Sequence, residues 1–220
     1  MRTVIFDLDG TLADTSGDLI AAANQCLQGE GPDALLDPAA DAGTALRGGR
    51  AMLTLGLTRV GRYSAEAVDR WYPKLLEAYA DSIAVHTTLY PGAIETVEAL
   101  RTAGYRVGIC TNKPEALAET LLQELGVRDV FESLIGADTL PVRKPDPAPL
   151  IAAVQRAGGA VAQSCLIGDT VTDRKTAEAL GVPCILVTFG PEGDAVHSLS
   201  PEGTIGHFSE LPAEVARLIG

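Results

Sequence analysis

The feature that most limits what this chain can become is an alternation. Short runs rich in apolar and β-branched residues recur between stretches of helical character, the pattern of an α/β fold on a parallel sheet. Thr3–Phe6 is the first run. Tyr105–Cys110 is the second, followed by a predicted helix from about Pro114 to Leu125. Ser133–Gly136 is a third and Cys165–Ile167 a fourth, the latter followed by a helix to about Leu180. Cys184–Val187 is a fifth. Gly104, Gly126 and Gly181 each stand just past a helical stretch, where a C-terminal cap belongs. Beyond Gly190 the sequence is loop-rich until a last helix from about Pro212.

One block breaks the alternation. From about Ser16 to Val85 the apolar residues fall at helical spacing, with Leu19, Ile20, Ala23 and Leu27, then Met52–Val60, then Val68–Ile83. No β run interrupts them. A helical block between the first and second strands reads as an inserted domain. The predicted division is a Rossmann-like parallel-sheet core of residues 1–15 and 86–220, with a helical cap of residues 16–85. Gly and Pro cluster at Gly29–Pro32 and again at Pro91-Gly92, where the chain would return to the core.

The carboxylates fall where such a sheet binds ligands. Asp7-Leu8-Asp9-Gly10-Thr11 follows the first strand, Thr111-Asn112 the second, and Gly168-Asp169 the fourth. In open parallel sheets ligands sit at the carboxyl ends of the strands. Residues far apart in sequence are therefore expected to converge. Two close carboxylates, Asp7 and Asp169, repel unless a cation neutralises them, and Mg²⁺ takes one or two protein carboxylates plus water and substrate phosphate. Lys144, before Pro145-Asp146-Pro147, could meet the charge of a bound phosphate. Thr111 or Asn112 could donate hydrogen bonds to the same oxygens.

Composition narrows the partners. The formal charge is −12, which argues against nucleic acid or a membrane surface, because both need a basic patch. It does not exclude a small phosphorylated metabolite, since a metal ion and one or two lysines invert the potential locally. No run approaches the length of a membrane span, and the N-terminus lacks the long apolar region of a signal peptide, so a cytoplasmic location is expected. Cys26, Cys110, Cys165 and Cys184 are scattered and form no C-x-x-C pair, so buried free thiols are expected.

In order along the chain, D-L-D-G-T, T-N-K, K-P-D-P and G-D-T-V-T-D resemble the four motifs of the haloacid dehalogenase superfamily. The resemblance spans nearly the whole chain. It implies a magnesium-dependent phosphatase. Asp7 would be the nucleophile and a metal ligand, and Asp9 the general acid and then base, with its backbone carbonyl on the metal. Thr111 and Lys144 would bind the phosphoryl group. Asp169 would ligate Mg²⁺, with Asp173 as a water-mediated partner. The amides of Leu8, Asp9 and Asn112 would face phosphate. The helical insert matches the family's cap. Leu89–Gly92, Cys110–Pro114 and Arg143–Pro147 carry a closer likeness to the phosphoglycolate phosphatases, which implies 2-phosphoglycolate as substrate.

Other readings stay open at this point. A sugar-phosphate mutase needs the same motif residues, and a phosphatase of another sugar phosphate or a nucleotide fits them equally. A dehalogenase has no leaving oxygen for Asp9 to protonate. A phospho-receiver module lacks a cap. Arg47 and Arg50, flanking Gly48-Gly49 inside the insert, are candidate substrate contacts, since Arg pairs bidentately with carboxylate or phosphate. Lys113 reads as a surface lysine and the three histidines as structural or exposed. Trp71, Leu75 and Tyr79 lie at packing spacing. A monomer and a homodimer are both compatible with the sequence.

Overall fold

The computed structural model describes residues 1–220. In chain order the elements are β1 (Thr3–Phe6), β2 (Ala13–Asp14), α1 (Ser16–Leu27), α2 (Ala42–Ala45), α3 (Gly49–Arg59), α4 (Ala65–Ala80) and β3 (Thr88–Leu89). Then come α5 (Ala93–Thr102), β4 (Arg106–Cys110), α6 (Glu115–Glu124), β5 (Ser133–Ile135), α7 (Ala148–Arg156), β6 (Ser164–Gly168), α8 (Val171–Leu180), β7 (Cys184–Val187), β8 (Gly203–Ile205) and α9 (Leu211–Ile219). The chain divides into two units, Met1–Ala13 with Leu89–Gly220, and Asp14–Thr88. The connections run through β2 and β3, which pair with each other.

The larger unit is a six-stranded sheet in the order β5-β4-β1-β6-β7-β8, parallel throughout. All four residues of β1 are inaccessible to solvent, which a strand covered by helices on both faces requires. Side chains alternate across the sheet. Ile5, Cys110, Leu166, Cys184 and Leu186 pack with Leu150, Ala153 and Val154 of α7 and Ala177 of α8. Val4, Phe6, Val107, Ile109, Ile167 and Ile185 point the other way and are equally buried. No helix of the chain is long and apolar enough to cross a membrane.

The sequence predicts five strands of this sheet, and the sheet has six. The missing one is β8, whose residues Gly-Thr-Ile are too few and too mixed to show a period. Its ladder to β7 (Ile185↔Gly203, Leu186↔Thr204, Val187↔Ile205) supplies what local propensity does not.

The smaller unit is helical. Ile20 and Leu27 of α1, Met52, Leu53 and Leu57 of α3, and Leu75 and Tyr79 of α4 are its largest buried side chains. Ser64 starts α4 by accepting the Ala67 amide at 3.1 Å. The buried Asp18 carboxylate accepts the His86 and Thr87 amides (2.9 and 2.8 Å) and the Thr87 hydroxyl (2.7 Å), tying α1 to the segment that leaves the unit. Asp41 and Arg59 form a two-pronged pair at 2.8 and 2.9 Å.

Gly56 sits where α3 approaches α1. A Cβ there would stand 2.5 Å from Leu27 Cδ1 and 2.6 Å from the Ala34 carbonyl oxygen. Alanine is the better helix former by about 1 kcal/mol. Overpacking against main chain costs about 1–3 kcal/mol, so the clash wins. Gly56→Ala is expected to lower the urea midpoint at unchanged m-value. A raised midpoint would show that the backbone yields and propensity decides.

Candidate active site

The site belongs to the larger unit. β1 lies between β4 and β6, and the chain passes from β1 to β4 on one side and from β5 to β6 across to the other. This reversal opens a crevice at the carboxyl ends of the central strands. Asp7 is the first residue past β1, and its amide still donates to the Ile167 carbonyl at 2.8 Å. The turn that follows is closed by the Leu8 carbonyl, which accepts the amides of Thr11, Leu12 and Ala13. Gly10 takes φ 81° there, and a Cβ on it would lie 2.5 Å from Asp169 Oδ2. Only glycine satisfies both the angle and the approach.

Four carboxylates and two ammonium groups meet. Lys144 Nζ lies 3.1 Å from Asp7 Oδ1 and 2.6 Å from Asp173 Oδ1. Lys113 Nζ lies 2.8 Å from Asp9 Oδ1. Asp7 Oδ1 also accepts the Leu8 amide at 2.8 Å. Asp169 Oδ1 accepts the Thr11 hydroxyl at 2.9 Å. Its Oδ2 is buried and has no hydrogen-bond partner. Thr111 is buried at the end of β4, and its hydroxyl accepts the Lys113 amide at 3.2 Å.

Burial sets the electrostatics. It pushes Asp7 up to about 6, the Lys144 ammonium pulling the other way and the neighbouring carboxylates adding to the rise. Asp169 is raised well above the usual carboxylate range, first by burial and then by the charges of Asp173 and Asp7. Burial works against the Lys144 ammonium, but Asp173 and Asp7 outweigh it and hold the lysine charged.

These residues fit a divalent cation. Oxygens of Asp7, Asp169 and Asp173 lie within 4.8 Å of one another. The orphaned Asp169 Oδ2 needs a positive partner, and the side-chain-free surface of Gly10 leaves room beside it. Four carboxylates against two ammoniums leave a formal charge of −2 when all are ionised, which one divalent ion balances. Asp7 and Asp169 are the suitable ligands. Both oxygens of Asp173 are already engaged, Oδ1 with Lys144 and Oδ2 with the Thr170 hydroxyl (2.8 Å) and amide (3.2 Å) at the start of α8.

These contacts bring Asp7, Asp9, Lys144, Asp169 and Asp173 together, and Thr111 stands at the end of β4 with its hydroxyl on the Lys113 amide. Asp173 is also the first-turn acid of α8. Asn112 is exposed, and its side-chain amide donates to the Lys144 carbonyl at 3.0 Å, so it braces the loop that carries Lys144. Lys113 corrects the sequence reading: it is 6% exposed and faces Asp9, not solvent. In a loop no periodicity tells which way a side chain points. Thr11, just past the D-L-D run, is a further site residue, whose contact with Asp169 no local sequence signal announces. Arg47 and Arg50 lie in the helical unit. Arg47 is exposed, next to Gly48 at φ 96°. Arg50 is exposed, bonds Asp69 at 2.6 Å and covers the Tyr72 ring at 4.5 Å. The histidines are exposed, and all four cysteines are free and buried.

The family model of haloacid dehalogenase-like hydrolases matches residues 1–181. The chain is 38% identical to a phosphoglycolate phosphatase of Mesorhizobium japonicum over 98% of its own length and 96% of the relative's. It is also 38% identical to a phosphoglycolate phosphatase of Rhodospirillum rubrum, over 96% of this chain and 89% of that one. A crystal structure from Haemophilus somnus, described as a predicted phosphoglycolate phosphatase, superposes with a TM-score of 0.83 at 22% identity over 97% of both chains, a likeness of fold. The chain belongs to the haloacid dehalogenase-like hydrolases. It is an enzyme, a phosphatase.

The raised carboxylates have a consequence for stability. Asp7 holds its proton to about pH 6 when folded but only to its ordinary value of 3.8 when unfolded. Its ionised form therefore costs folding free energy above about pH 6, and lowering the pH toward 4 removes that cost. A divalent cation removes the same cost by pairing with the charge. The rise in melting temperature on adding excess Mg²⁺ to the EDTA-treated protein is expected to be large at pH 8 and to shrink below pH 6. A rise that is absent, or the same at both pH values, would contradict the assignment.

Proposed function

We propose that the chain is a Mg²⁺-dependent phosphatase that hydrolyses 2-phosphoglycolate through an aspartyl-phosphate on Asp7. The observation that carries the reading is the placement of Asp7: a carboxylate at the end of the central strand, 3.1 Å from a buried ammonium and beside the partnerless oxygen of Asp169. Relatives of that name along the full chain support the substrate.

The chemistry runs in two displacements. An oxygen of Asp7 bonds to phosphorus while the bond from phosphorus to the glycolate oxygen breaks. Asp9 gives its proton to that leaving oxygen. Water then attacks phosphorus, Asp9 takes a proton from it, and the Asp7 carboxylate departs as inorganic phosphate forms. Splitting the hydrolysis this way replaces one hard step by two easier ones. Phosphoryl transfer is mostly positioning and charge stabilisation, and Lys144 stays beside Asp7 through both steps. Thr111 donates its hydroxyl to the phosphoryl oxygens. Asp7, Asp169 and the main-chain carbonyl of Asp9 would hold Mg²⁺, which would supply neutralisation of the phosphoryl charge.

Phosphate release over a panel of phosphorylated metabolites is expected to favour 2-phosphoglycolate, to vanish in EDTA and to return with Mg²⁺. Asp7→Asn is expected to be inactive and folded by circular dichroism. Activity within tenfold of wild type in Asp7→Asn, or full activity without metal, would reject the reading.

Asp9→Asn separates the two steps. An alkoxide leaving group needs a proton and a nitrophenolate hardly does. The variant is expected to lose roughly 10²–10⁴ in phosphoenzyme formation from the alkyl ester and much less from p-nitrophenyl phosphate. With the aryl ester it is expected to release one burst of nitrophenol and stall. Equal losses on both esters with no burst would make Asp9 a metal-site residue only.

A further inference from the structure

Lys113 is the buried cation that this mechanism does not use. Its side chain is 4% exposed, and its ammonium lies 2.8 Å from Asp9 Oδ1. Burying a lysine costs side-chain entropy and the desolvation of a charge. A surface loop has no reason to bear both unless the ammonium has a function.

The base of this arm is fixed. The Lys113 amide donates to the Thr111 hydroxyl at 3.2 Å, and its carbonyl accepts the Ala137 amide at 2.9 Å. The residue is thereby tied to the end of β4 and to the loop that follows β5. On the other side, the backbone of Asp9 is set by the turn after β1, where the Gly10 amide donates to the Ala13 carbonyl at 2.9 Å. Two backbones are anchored, and the ion pair fixes the one short side chain between them.

We propose that Lys113 is a positioning residue for Asp9, holding Oδ1 so that proton exchange with the leaving group and with water falls to Oδ2 in a fixed orientation. The inference rests on the phosphatase reading above. The two lysines of the site then have separate roles. Lys144 serves Asp7 and is braced by Asp173, whereas Lys113 serves Asp9 and is braced by Thr111. A misplacement on the order of 1 Å in a proton-transfer group can cost about 10²-fold in rate, so the arm is worth its burial.

The test uses Lys113→Met, Lys113→Arg, Asp9→Asn and the Lys113→Met/Asp9→Asn double variant of the full chain, each checked for folding by its melting transition. On 2-phosphoglycolate, Lys113→Met is expected to lower kcat about 10²-fold with KM within about threefold, because the group acts in the transition state rather than in binding. Phosphoenzyme formation from p-nitrophenyl phosphate, which hardly needs the acid, is expected to fall less than about tenfold. Lys113→Arg is expected to recover most of the loss. In the Asp9→Asn background the further change Lys113→Met is expected to alter phosphoenzyme formation less than about twofold, since the partner is already gone. A raised KM at unchanged kcat would make Lys113 a substrate ligand and overturn the proposal. So would equal losses on both esters that persist in the Asp9→Asn background. A wild-type chain that releases no phosphate counts against the phosphatase reading. Wild-type turnover that Lys113→Met leaves intact counts against this pairing alone.

Discussion

The buried contact of Lys144 with Asp173 is the interaction on which the site depends. An ammonium excluded from water is held 2.6 Å from a carboxylate that is itself wholly buried, and from there it lies 3.1 Å from Asp7. Removing Lys144 would leave the buried Asp173 carboxylate uncompensated inside the protein, a loss of about 3–5 kcal/mol. Asp173 is fixed in turn by the first turn of α8, where its second oxygen meets Thr170. Gly168 has to be glycine for this to hold, because a Cβ there would lie 2.3 Å from the Asp173 carboxyl carbon. The helix start, the strand end and the lysine loop after β5 are thus locked by one carboxylate.

The sheet explains why the locking occurs at this place. A parallel sheet brings every strand to the same end, and β1 at the reversal point has neighbours on both sides whose loops diverge. The register pairs Phe6 with Ile109 and with Ile167, so the loops after β1, β4 and β6 leave the sheet at nearly one level. Acids from two of those loops crowd together, and the protein tolerates the repulsion with two lysines and an unsatisfied oxygen on Asp169. Stability is given up at the site for a charge distribution that, in the proposed reading, accepts a cation and a phosphoryl group.

Much of this was legible in the residues. The strands announce themselves as continuous apolar runs because a parallel sheet is buried on both faces. Asp7, Asp169 and Thr111 stand out because each follows such a run closely. Their convergence follows from topology, without any contact being visible in the sequence. Lys113 was not legible, because loop geometry decides its direction, and it points to Asp9 only through bonds its backbone makes with Thr111 and Ala137. The bracing role of Asn112 was hidden for the same reason. β8 was not legible either: three residues carry no period, and its pairing with β7 is long-range information.

Everything proposed for the chemistry turns on Asp7 carrying the phosphoryl group. The most direct measurement is rapid quench of the wild-type protein during turnover of a substrate radiolabelled in its phosphate, followed by peptide mapping. A hydroxylamine-sensitive acyl-phosphate is expected on the peptide containing Asp7, formed and lost at rates that support turnover, and absent in Asp7→Asn. Turnover with no label on the protein, or label on another residue, would contradict it.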